Sequence, residues 1–549
     1  MVQPDGLRPS LLSLIACCCG VAACAHAEEG NQVEVAEGLH ADGTYSDVYL
    51  NDSFEAADAI AEARTLAGRG QWSEAAQMLQ QTSENAGDKL VRVAPAYYVG
   101  IRDHINTIVA NWPEAGINAY RTLFEREMRE SLSSPWVSRT LHELLPLFDR
   151  YFCTAPAAEL ADTIGQLAIE SGDLALAQYV YRRVLDNHPD GPGYAPRYEA
   201  MLTLIAAMRG EGEADRPGPE SDVKIRWMGR DRLVREVTAE VRKGFSALRV
   251  QSSPLEWPIF GGNADRNRPS STSVNELGLL WRFDGFEAGG PGSTGEHPDL
   301  PTIEGRGRAR HLSVHPVVSG GLVFAQCFRE IVALHRNTGM VAWRFHADDG
   351  DASGFGYMEE EPPAWDSATV HDGRVYASLP GDSVPYYSYE SARSPPELIC
   401  LDADTGRVIW QADQQAAAEE FAEISFDSTP IIQHGRLYVV GRRRRSFGFE
   451  DCYLYRFTAA TGELEHRTHL GSASTGSFGA RHPTRAIAAL HGDTVYVCTD
   501  LGAIAAVSAH TSAVRWLRLY ERDRTGTVRG SSQYTRDIRP WEFNPVIWS

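Results

Sequence analysis

Apolar and polar residues alternate in short runs along the second half of the chain, which predicts β-strands joined by tight turns. Four segments read as strand, polar-glycine turn and strand, and they lie at 317–324, 369–376, 431–438 and 489–496. A second predicted hairpin follows each of them, at 334–343, 401–410, 457–466 and 507–516. Two hairpins per unit predict a four-stranded sheet, and repetition of the unit predicts sheets stacked radially in a β-propeller.

In each second hairpin a turn residue is followed, four positions later, by a tryptophan or in one case a histidine. The turn position holds, in chain order, Gly339, Gly406, Gly462 and Ser512. Four residues later the chain has, in the same order, Trp343, Trp410, His466 and Trp516. The shared offset predicts that the three tryptophans dock between neighbouring sheets, with the glycine turns against them. His466 is expected to fill the same position less well and to weaken that contact.

The repeated Asp-x-x-Thr-Gly-x-x-x-Trp pattern resembles the tryptophan-docking motif of the pyrroloquinoline-quinone-type (PQQ-like) β-propeller repeats. The lead-in Trp257–Asn267 is similar to the segment that opens many of these propellers. The resemblance covers about residues 257–549 and implies an all-β PQQ-like β-propeller over residues 255–549. The family includes quinoprotein alcohol dehydrogenases and non-catalytic members such as the BamB-type lipoprotein of outer-membrane barrel assembly. Fold alone therefore leaves the activity open.

The last residues, Asn544–Ser549, repeat the opening of the earlier units. They predict the first strand of a fifth unit, and hence an incomplete propeller that forms an open arc of about four blades. The alternative is a small closed ring in which the segment from Trp257 to Trp281 supplies missing strands to the last sheet.

The first half of the chain has apolar residues at helical spacing over residues 51–209. Segments that begin at Gly70 and Gly172 look like the inter-helix turn and second helix of a tetratricopeptide repeat, three periods apart. A third echo begins at Asn111 with a different spacing. The pattern predicts a multidomain chain with an N-terminal, tetratricopeptide-like α-helical solenoid. This solenoid is either a concave peptide-binding surface or a helical spacer.

Residues 210–254 are predicted to be a linker that contains one helix, at about 230–248. The linker begins with a polar break at 210–220 that is rich in proline and glycine. Because exposed polar breaks are preferred sites of proteolysis, we expect the first cut there and two resistant fragments.

The N-terminal 27 residues have the pattern of a secretory signal peptide. An apolar run from Leu11 to Cys24 is followed by Ala25-His26-Ala27, which fits an Ala-x-Ala cleavage site. The run is too short to span a membrane. Val21-Ala22-Ala23-Cys24 also resembles a bacterial lipobox, so lipidation of Cys24 is the competing interpretation. Either way we expect an exported protein, periplasmic or associated with the outer membrane, with a flexible acidic tether at 28–50.

The composition of the 549 residues is that of an ordinary globular protein, with 43% hydrophobic and 23% charged residues. The net charge of −21 argues against a nucleic-acid partner and against general attraction to anionic membranes. Nine cysteines are present, and the five that follow the signal region are scattered, so they predict neither a disulfide framework nor a zinc ribbon.

The residues carry little sign of catalysis. For a quinoprotein dehydrogenase the resemblance implies adjacent cysteines over the quinone, calcium held by Glu, Asn and Asp side chains, and an Asp base. The chain after the signal region has no adjacent cysteines and no set that matches the calcium ligands or the base. The acidic run 346–351 lacks the order of a calcium loop, and His311 and His315 do not form a helical metal pair. We therefore assign no catalytic, cofactor-binding or metal-binding residue.

Four consecutive arginines, Arg442, Arg443, Arg444 and Arg445, stand out in this acidic chain. They are expected at a hairpin tip or sheet edge, where they either bind an acidic partner or lie in a solvated loop. Together these features predict a non-catalytic scaffold that binds protein partners in the cell envelope and carries no cofactor. A PQQ-dependent dehydrogenase and a polysaccharide-related accessory protein are the alternatives.

Overall fold

The computed structural model describes residues 48–133, 140–209, 222–227, 229–248, 256–268, 279–283, 315–327, 330–347, 367–379, 397–412, 424–426, 428–445, 449–474, 488–499 and 501–520. All of these belong to one compact unit, residues 46–549. The predictions made for Cys24, the signal peptide, residues 28–47, the break at 210–220, His311 and the terminal segment 544–549 fall outside the described residues.

The N-terminal half of the described chain is helical, as the apolar spacing predicts. The helices are α1 (Phe54–Gly68), α2 (Trp72–Ala86), α3 (Ile101–Ala110), α4 (Glu114–Ser133), α5 (Leu141–Arg150), α6 (Ala155–Glu170), α7 (Leu174–Asn187), α8 (Gly191–Met208) and α9 (Val234–Leu248). The side chains of Ser53 and Asp173 cap α1 and α7, since they accept hydrogen bonds from the amides of Ala56 (3.2 Å) and Leu176 (3.0 Å).

Consecutive helices pack on one another around a shared core. Helix α1 lies against α2, and α6, α7, α8 and α9 follow one another in contact. Fully buried alanines such as Ala63, Ala75, Ala161 and Ala177 leave room for close approach of neighbouring helices. The small hairpin β4–β5 (Lys224–Trp227 and Arg230–Leu233) adjoins α9.

The second half of the described chain forms four antiparallel sheets, each built from consecutive strands. Sheet 1 contains β6 (Val317–Ser319), β7 (Leu322–Cys327), β8 (Glu330–His335) and β9 (Val341–His346). Sheet 2 contains β10 (Thr369–His371), β11 (Arg374–Leu379), β12 (Glu397–Asp402) and β13 (Val408–Gln411). Sheet 3 contains β14 (Ile424–Phe426), β15 (Ile431–Gln433), β16 (Arg436–Arg445), β17 (Phe449–Thr458) and β18 (Leu464–Ser474). Sheet 4 contains β19 (Ala488–His491), β20 (Thr494–Cys498), β21 (Ala503–Ser508) and β22 (Val514–Leu519).

One strand of each sheet neighbours its counterpart in the next sheet, namely the first strand of sheets 1, 2 and 4 and the second strand, β15, of sheet 3. Strand β6 lies beside β10, β10 beside β15, and β15 beside β19. Apolar residues pack between each pair of successive sheets, because one buried cluster contains residues of sheets 1 and 2, a second contains residues of sheets 2 and 3, and a third contains residues of sheets 3 and 4. This arrangement of up-and-down sheets is the propeller type that the repeats predict.

Short strands from the N-terminal half extend two of these sheets. Strand β1 (Val48–Tyr49) pairs with β18, with Val48 opposite Ala473. The hairpin β2–β3 (Leu90–Ala94 and Tyr97–Gly100) pairs with β22, with Val99 opposite Trp516. Sheets 3 and 4 therefore each contain six strands. The sequence had assigned Val48–Tyr49 to a tether and 90–100 to an all-helical domain, and both segments belong to sheets instead.

Among the described residues, no helix is both long enough and apolar enough to cross a bilayer.

Candidate functional site

The docking tryptophans follow one geometric rule. The ring of Trp343 lies on the Gly406 turn of the next sheet, and its indole N–H donates to the Ala403 carbonyl at 2.9 Å. The ring of Trp410 lies on the Gly462 turn in the same way, and its N–H donates to the carbonyl three residues before that glycine at 3.1 Å. Both rings are buried. Each tryptophan thus joins its own sheet to the following one.

The glycines at these turns meet two constraints at once. Gly339, Gly406 and Gly462 have φ of 67°, 71° and 76°, which disfavours residues with a side chain. A Cβ at any of the three would come within 2.6 Å of an indole atom. The turn and the ring therefore fit only when the turn residue is glycine.

Trp281 is a further docking residue, which the repeat pattern did not assign. Its ring lies on the Gly339 turn of sheet 1, and its indole N–H donates to the Arg336 carbonyl at 2.7 Å. The contact repeats the geometry of Trp343 and Trp410. The available signal was the apolar pair Leu279 and Leu280 directly before Trp281, which matches apolar positions before the other tryptophans.

Trp516 does not match its sequence expectation. It is half-buried in β22, next to Tyr496 of its own sheet, and it pairs with Val99 of the β2–β3 hairpin. Among the described residues no glycine turn covers its ring. The β2–β3 hairpin of the helical half pairs with β22, the strand that was expected to face another blade.

The junction between sheets 3 and 4 is built differently from the other two. His466 is exposed, in contrast to the buried tryptophans at the equivalent positions. Ser512 holds the turn position at φ 59° and carries the Cβ that a docked indole would exclude. The Ala509 carbonyl, three residues earlier, accepts from the Tyr438 hydroxyl at 2.9 Å and from Arg456 at 3.3 Å. A tyrosine and an arginine therefore satisfy the acceptor that an indole N–H satisfies elsewhere.

Charged residues continue this junction onto the helical half. Arg436 of β16 forms an ion pair with Asp173, the N-cap of α7, at 3.2 Å. Glu465 of β18 pairs with Arg436 at 3.4 Å and with Arg456 at 2.9 Å. These contacts tie sheet 3 to the start of α7.

Sheet 4 contacts the same helix through rings and another ion pair. The His510 imidazole lies 5.5 Å from the Tyr179 ring of α7, centroid to centroid. The Arg515 guanidinium lies 5.3 Å from the same ring and pairs with Asp493 at 2.6 Å. His510 is 5% exposed, and its ring nitrogens have no hydrogen-bond partner among the described residues.

We call this group the polar seam. Its members are Asp173, Tyr179, Arg436, Arg456, Glu465, Asp493, His510 and Arg515. Desolvation lowers the pKa of His510 to about 4, so the imidazole is neutral at neutral pH. Desolvation also raises the pKa of Asp493, but the hydrogen bond and charge of Arg515 outweigh it and leave that pKa lowered.

Tyr179 is fixed on its helix by a buried arginine. The Tyr179 hydroxyl accepts a hydrogen bond from Arg183 at 2.6 Å. Arg183 also binds the carboxylates of Asp149 and Asp103, the latter at 2.9 Å, and it stacks on Phe152. The ring that meets His510 is therefore oriented from within the helical core.

Arg442, the first residue of the arginine run, is not exposed. Residues Arg442–Arg445 lie within β16, paired with β17. Arg442 is 5% exposed, pairs with Glu450 at 3.4 Å and donates to the Thr499 carbonyl of sheet 4 at 3.0 Å. Arg443 is half-buried, and the side chains of the last two arginines fall outside the described residues. The expected partner patch is corrected here for Arg442, which connects two sheets.

The lead-in segment at 256–268 lies across the first strands of the sheets. Trp257 exchanges two backbone hydrogen bonds with β6, at 2.7 and 2.8 Å. The carbonyl of Pro258 accepts from β10 at 2.8 Å, and the carbonyl of Ala264 accepts from β19 at 2.9 Å. One short segment thus joins sheets 1, 2 and 4 on the side where their first strands meet.

Arg266 completes this connection. Its guanidinium is buried and donates to the carbonyls of Ala488 at 2.7 Å, Phe260 at 2.9 Å and Thr429 at 3.2 Å. Thr429 is separated from β15 only by Pro430, so sheet 3 is included. Burial lowers the pKa of Arg266 to about 9, which still leaves it charged at neutral pH.

A quinone cofactor, which the family resemblance implies for its enzymes, does not fit the described residues. The side on which the first strands meet is occupied by the lead-in segment, and the donors of Arg266 already bind three carbonyls. The thiols of Cys153, Cys400 and Cys452 are buried and form no disulfide. Desolvation raises the pKa of Cys153 and of Cys400 to about 12. No group of three metal-ligating side chains occurs in the described part of the chain.

Comparison with protein families gives a match to the part of the chain that contains the repeats. The family model described as "Outer membrane protein assembly factor BamB" matches residues 329–539. These residues are PQQ-like repeats. The matched region contains the Trp343 and Trp410 docks and the Gly339 turn on which Trp281 lies.

Comparison with solved structures gave partial matches of low sequence identity. Quinohemoprotein alcohol dehydrogenase ADHIIG from Pseudomonas putida HK5 is 16% identical, over 48% of this chain and 40% of its own, with a TM-score of 0.30. Quinohemoprotein alcohol dehydrogenase from Comamonas testosteroni is 15% identical, over 50% of this chain and 42% of its own, with a TM-score of 0.31. BamB from Moraxella catarrhalis is 14% identical, over 38% of this chain and 63% of its own, with a TM-score of 0.21.

These alignments cover less than two thirds of each solved structure. A comparison with curated proteins gave no significant match.

Proposed function

We propose that the protein is a non-catalytic scaffold of the cell envelope that binds protein partners, by analogy with the assembly factor named in the family model. The proposal includes export through residues 1–27, with Cys24 as the candidate lipidation site, and a location in the periplasm or at the outer membrane. It also includes a tetratricopeptide-like solenoid and a propeller of about four blades.

The observation that carries the proposal is the placement of the lead-in segment. A propeller enzyme needs an open site for its substrate and cofactor where the first strands converge around the axis. Here Trp257, Pro258 and Ala264 hydrogen-bond to first strands of three sheets, and the buried guanidinium of Arg266 donates to three carbonyls beside them. The chain itself uses this position to hold the sheets together, which favours a structural role.

The strand pairing between the helical half and the sheets also supports a scaffold role. Strand β1 and the hairpin β2–β3 extend sheets 3 and 4, and the polar seam joins α7 to both. Because these strands are hydrogen-bonded into the sheets, the helical array and the sheets present one joined surface. Such a surface suits simultaneous contact with large partners better than it suits turnover of a small substrate.

The proposal is tested by affinity capture from envelope extract with the full chain as bait. We expect specific envelope proteins to be recovered in near-stoichiometric amounts. The matched control is Gly100→Val, because a Cβ at residue 100 would lie 2.5 Å from the Val514 carbonyl oxygen and would displace the hairpin from sheet 4.

Two outcomes would count against the proposal. Recovery of the same proteins in equal amount with the folded Gly100→Val bait would show that the joined surface is not what they bind. Failure to recover any envelope protein, together with dye-linked alcohol oxidation by the purified chain, would favour the dehydrogenase alternative.

A further inference from the structure

Helix α7 occupies the junction that lacks a docked tryptophan. At the junctions of sheets 1 with 2 and 2 with 3, an indole ring covers a glycine turn. At the junction of sheets 3 and 4 the equivalent residues are the exposed His466 and the side-chain-bearing Ser512. The same junction is where α7 contacts both sheets, through Asp173 on one side and Tyr179 on the other.

We propose that α7 is the clamp of this junction and that protonation of the polar seam releases it. In the closed state Asp173 holds Arg436 of sheet 3, while Tyr179 holds His510 and Arg515 of sheet 4. In the released state the contacts of α7 with sheets 3 and 4 open to water, while β1 and the hairpin β2–β3 stay paired with those sheets. This inference concerns the internal mechanics of the protein and does not depend on its being a scaffold.

The charges of the seam make release dependent on acid. At neutral pH three arginines (436, 456 and 515) face three carboxylates (173, 465 and 493), and His510 is neutral among them. Protonation of His510 adds a fourth cation to a desolvated site. In the closed state the ring nitrogens have no hydrogen-bond partner among the described residues to stabilise the added charge. The protonated imidazole is therefore stable only when the site opens to water.

The direction of the pH effect follows from the pKa of His510. Burial lowers it from the ordinary 6.5 to about 4 in the closed state. The neutral imidazole therefore stabilises the closed state fully above pH 6.5. This stabilisation is lost as the pH falls from 6.5 towards 4. A single group with this shift makes opening roughly 30-fold more frequent at pH 5.0 than at pH 7.5.

The first test is hydrogen exchange followed by mass spectrometry on the full chain at pH 5.0 and 7.5, corrected for intrinsic exchange. We expect α7 and sheet 4 to lose protection at pH 5.0 by about the predicted factor. His510→Phe should abolish this loss, because a phenyl ring keeps the stack on Tyr179 and cannot be protonated. His142→Gln, which removes an exposed histidine of α5, should keep the wild-type response.

The second test separates the clamp from the acid response. Arg436→Gln should raise exchange of sheet 4 at pH 7.5 in the wild-type background. It should have no such effect in His466→Trp/Ser512→Gly, where a docked indole replaces the clamp. If that double variant does not fold, the comparison of Arg436→Gln with wild type still decides whether α7 holds the junction.

Unchanged exchange of α7 and sheet 4 in Arg436→Gln would overturn the clamp. An equal pH response in His510→Phe and wild type would overturn acid release. Loss of the response in His142→Gln would overturn its assignment to His510.

Discussion

At the scale of single residues, Gly406 shows how the turn and the indole are matched. Its φ of 71° and its contact with the Trp343 ring each exclude a side chain. Gly373 has a similar φ of 69°, but a Cβ there would meet nothing within 4 Å. Substitutions at Gly406 and Gly373 therefore separate the free-energy cost of the left-handed turn conformation from the cost of displacing the docked indole.

We predict that Gly406→Ala destabilises the protein more than Gly373→Ala does. Both changes cost about 1–2 kcal/mol for a left-handed alanine. Gly406→Ala costs about 1–3 kcal/mol more, because its methyl group displaces the indole. Urea unfolding followed by tryptophan fluorescence measures both. Equal losses of stability would mean that the Trp343 contact does not constrain the turn.

The docking positions were the residues that the sequence predicted best, because their offset repeats. A repeated offset reports a repeated local geometry, so Trp343 and Trp410 could be placed before any fold was known. Trp281 was missed because it stands outside the complete repeats. Trp516 was expected to dock against a neighbouring sheet, but its strand pairs with the β2–β3 hairpin. Burial of Arg442 depends on the Thr499 carbonyl of another sheet, which no local pattern reports.

We predict that Trp410→Ala lowers the free energy of unfolding by about 3–5 kcal/mol, since it empties a buried site between two sheets. The control is His466→Ala at the equivalent position of sheet 3. Because His466 is exposed, its truncation should change stability by less than about 0.5 kcal/mol. Calorimetric melting of both variants checks the difference, and a comparable loss for His466→Ala would contradict the account of the third junction.

At the scale of elements, the hairpin β2–β3 is the feature that connects the two halves most directly. It adds two strands to sheet 4 and places Tyr98 in the core of that sheet. Its sequence has the aromatic and β-branched residues of a strand, but the pairing of Val99 with Trp516 spans most of the chain. Pairing over such distances follows from the whole fold, and a pattern within one segment does not predict it.

We predict that the two halves stay together after proteolysis in the polar break at 210–220. The fragments should co-elute in gel filtration, because the hairpin, β1 and the polar seam hold them. Gly100→Val should make the fragments separate at a lower urea concentration than in the wild type, since its side chain would collide with the Val514 carbonyl. Gly68→Ala, which meets nothing within 4 Å, is the control. Separation of the wild-type fragments would contradict the joined-sheet arrangement.

At the scale of the whole molecule, helices followed by propeller-type sheets are what the sequence predicted, and the family match over residues 329–539 confirms the PQQ-like repeats. The apolar periodicity was sufficient for this because each element repeats. The lead-in segment was recognised by resemblance, but its position across the first strands depends on backbone contacts with three sheets. That position is the basis of the proposed non-catalytic role.

The most direct test of that role is to add PQQ and calcium to the purified full chain and to follow quinone absorbance after gel filtration, together with dye reduction by alcohols. The account predicts no retained quinone and no turnover, because the lead-in segment and Arg266 occupy the side where the first strands meet. Stoichiometric retention of PQQ with alcohol-dependent dye reduction would contradict it.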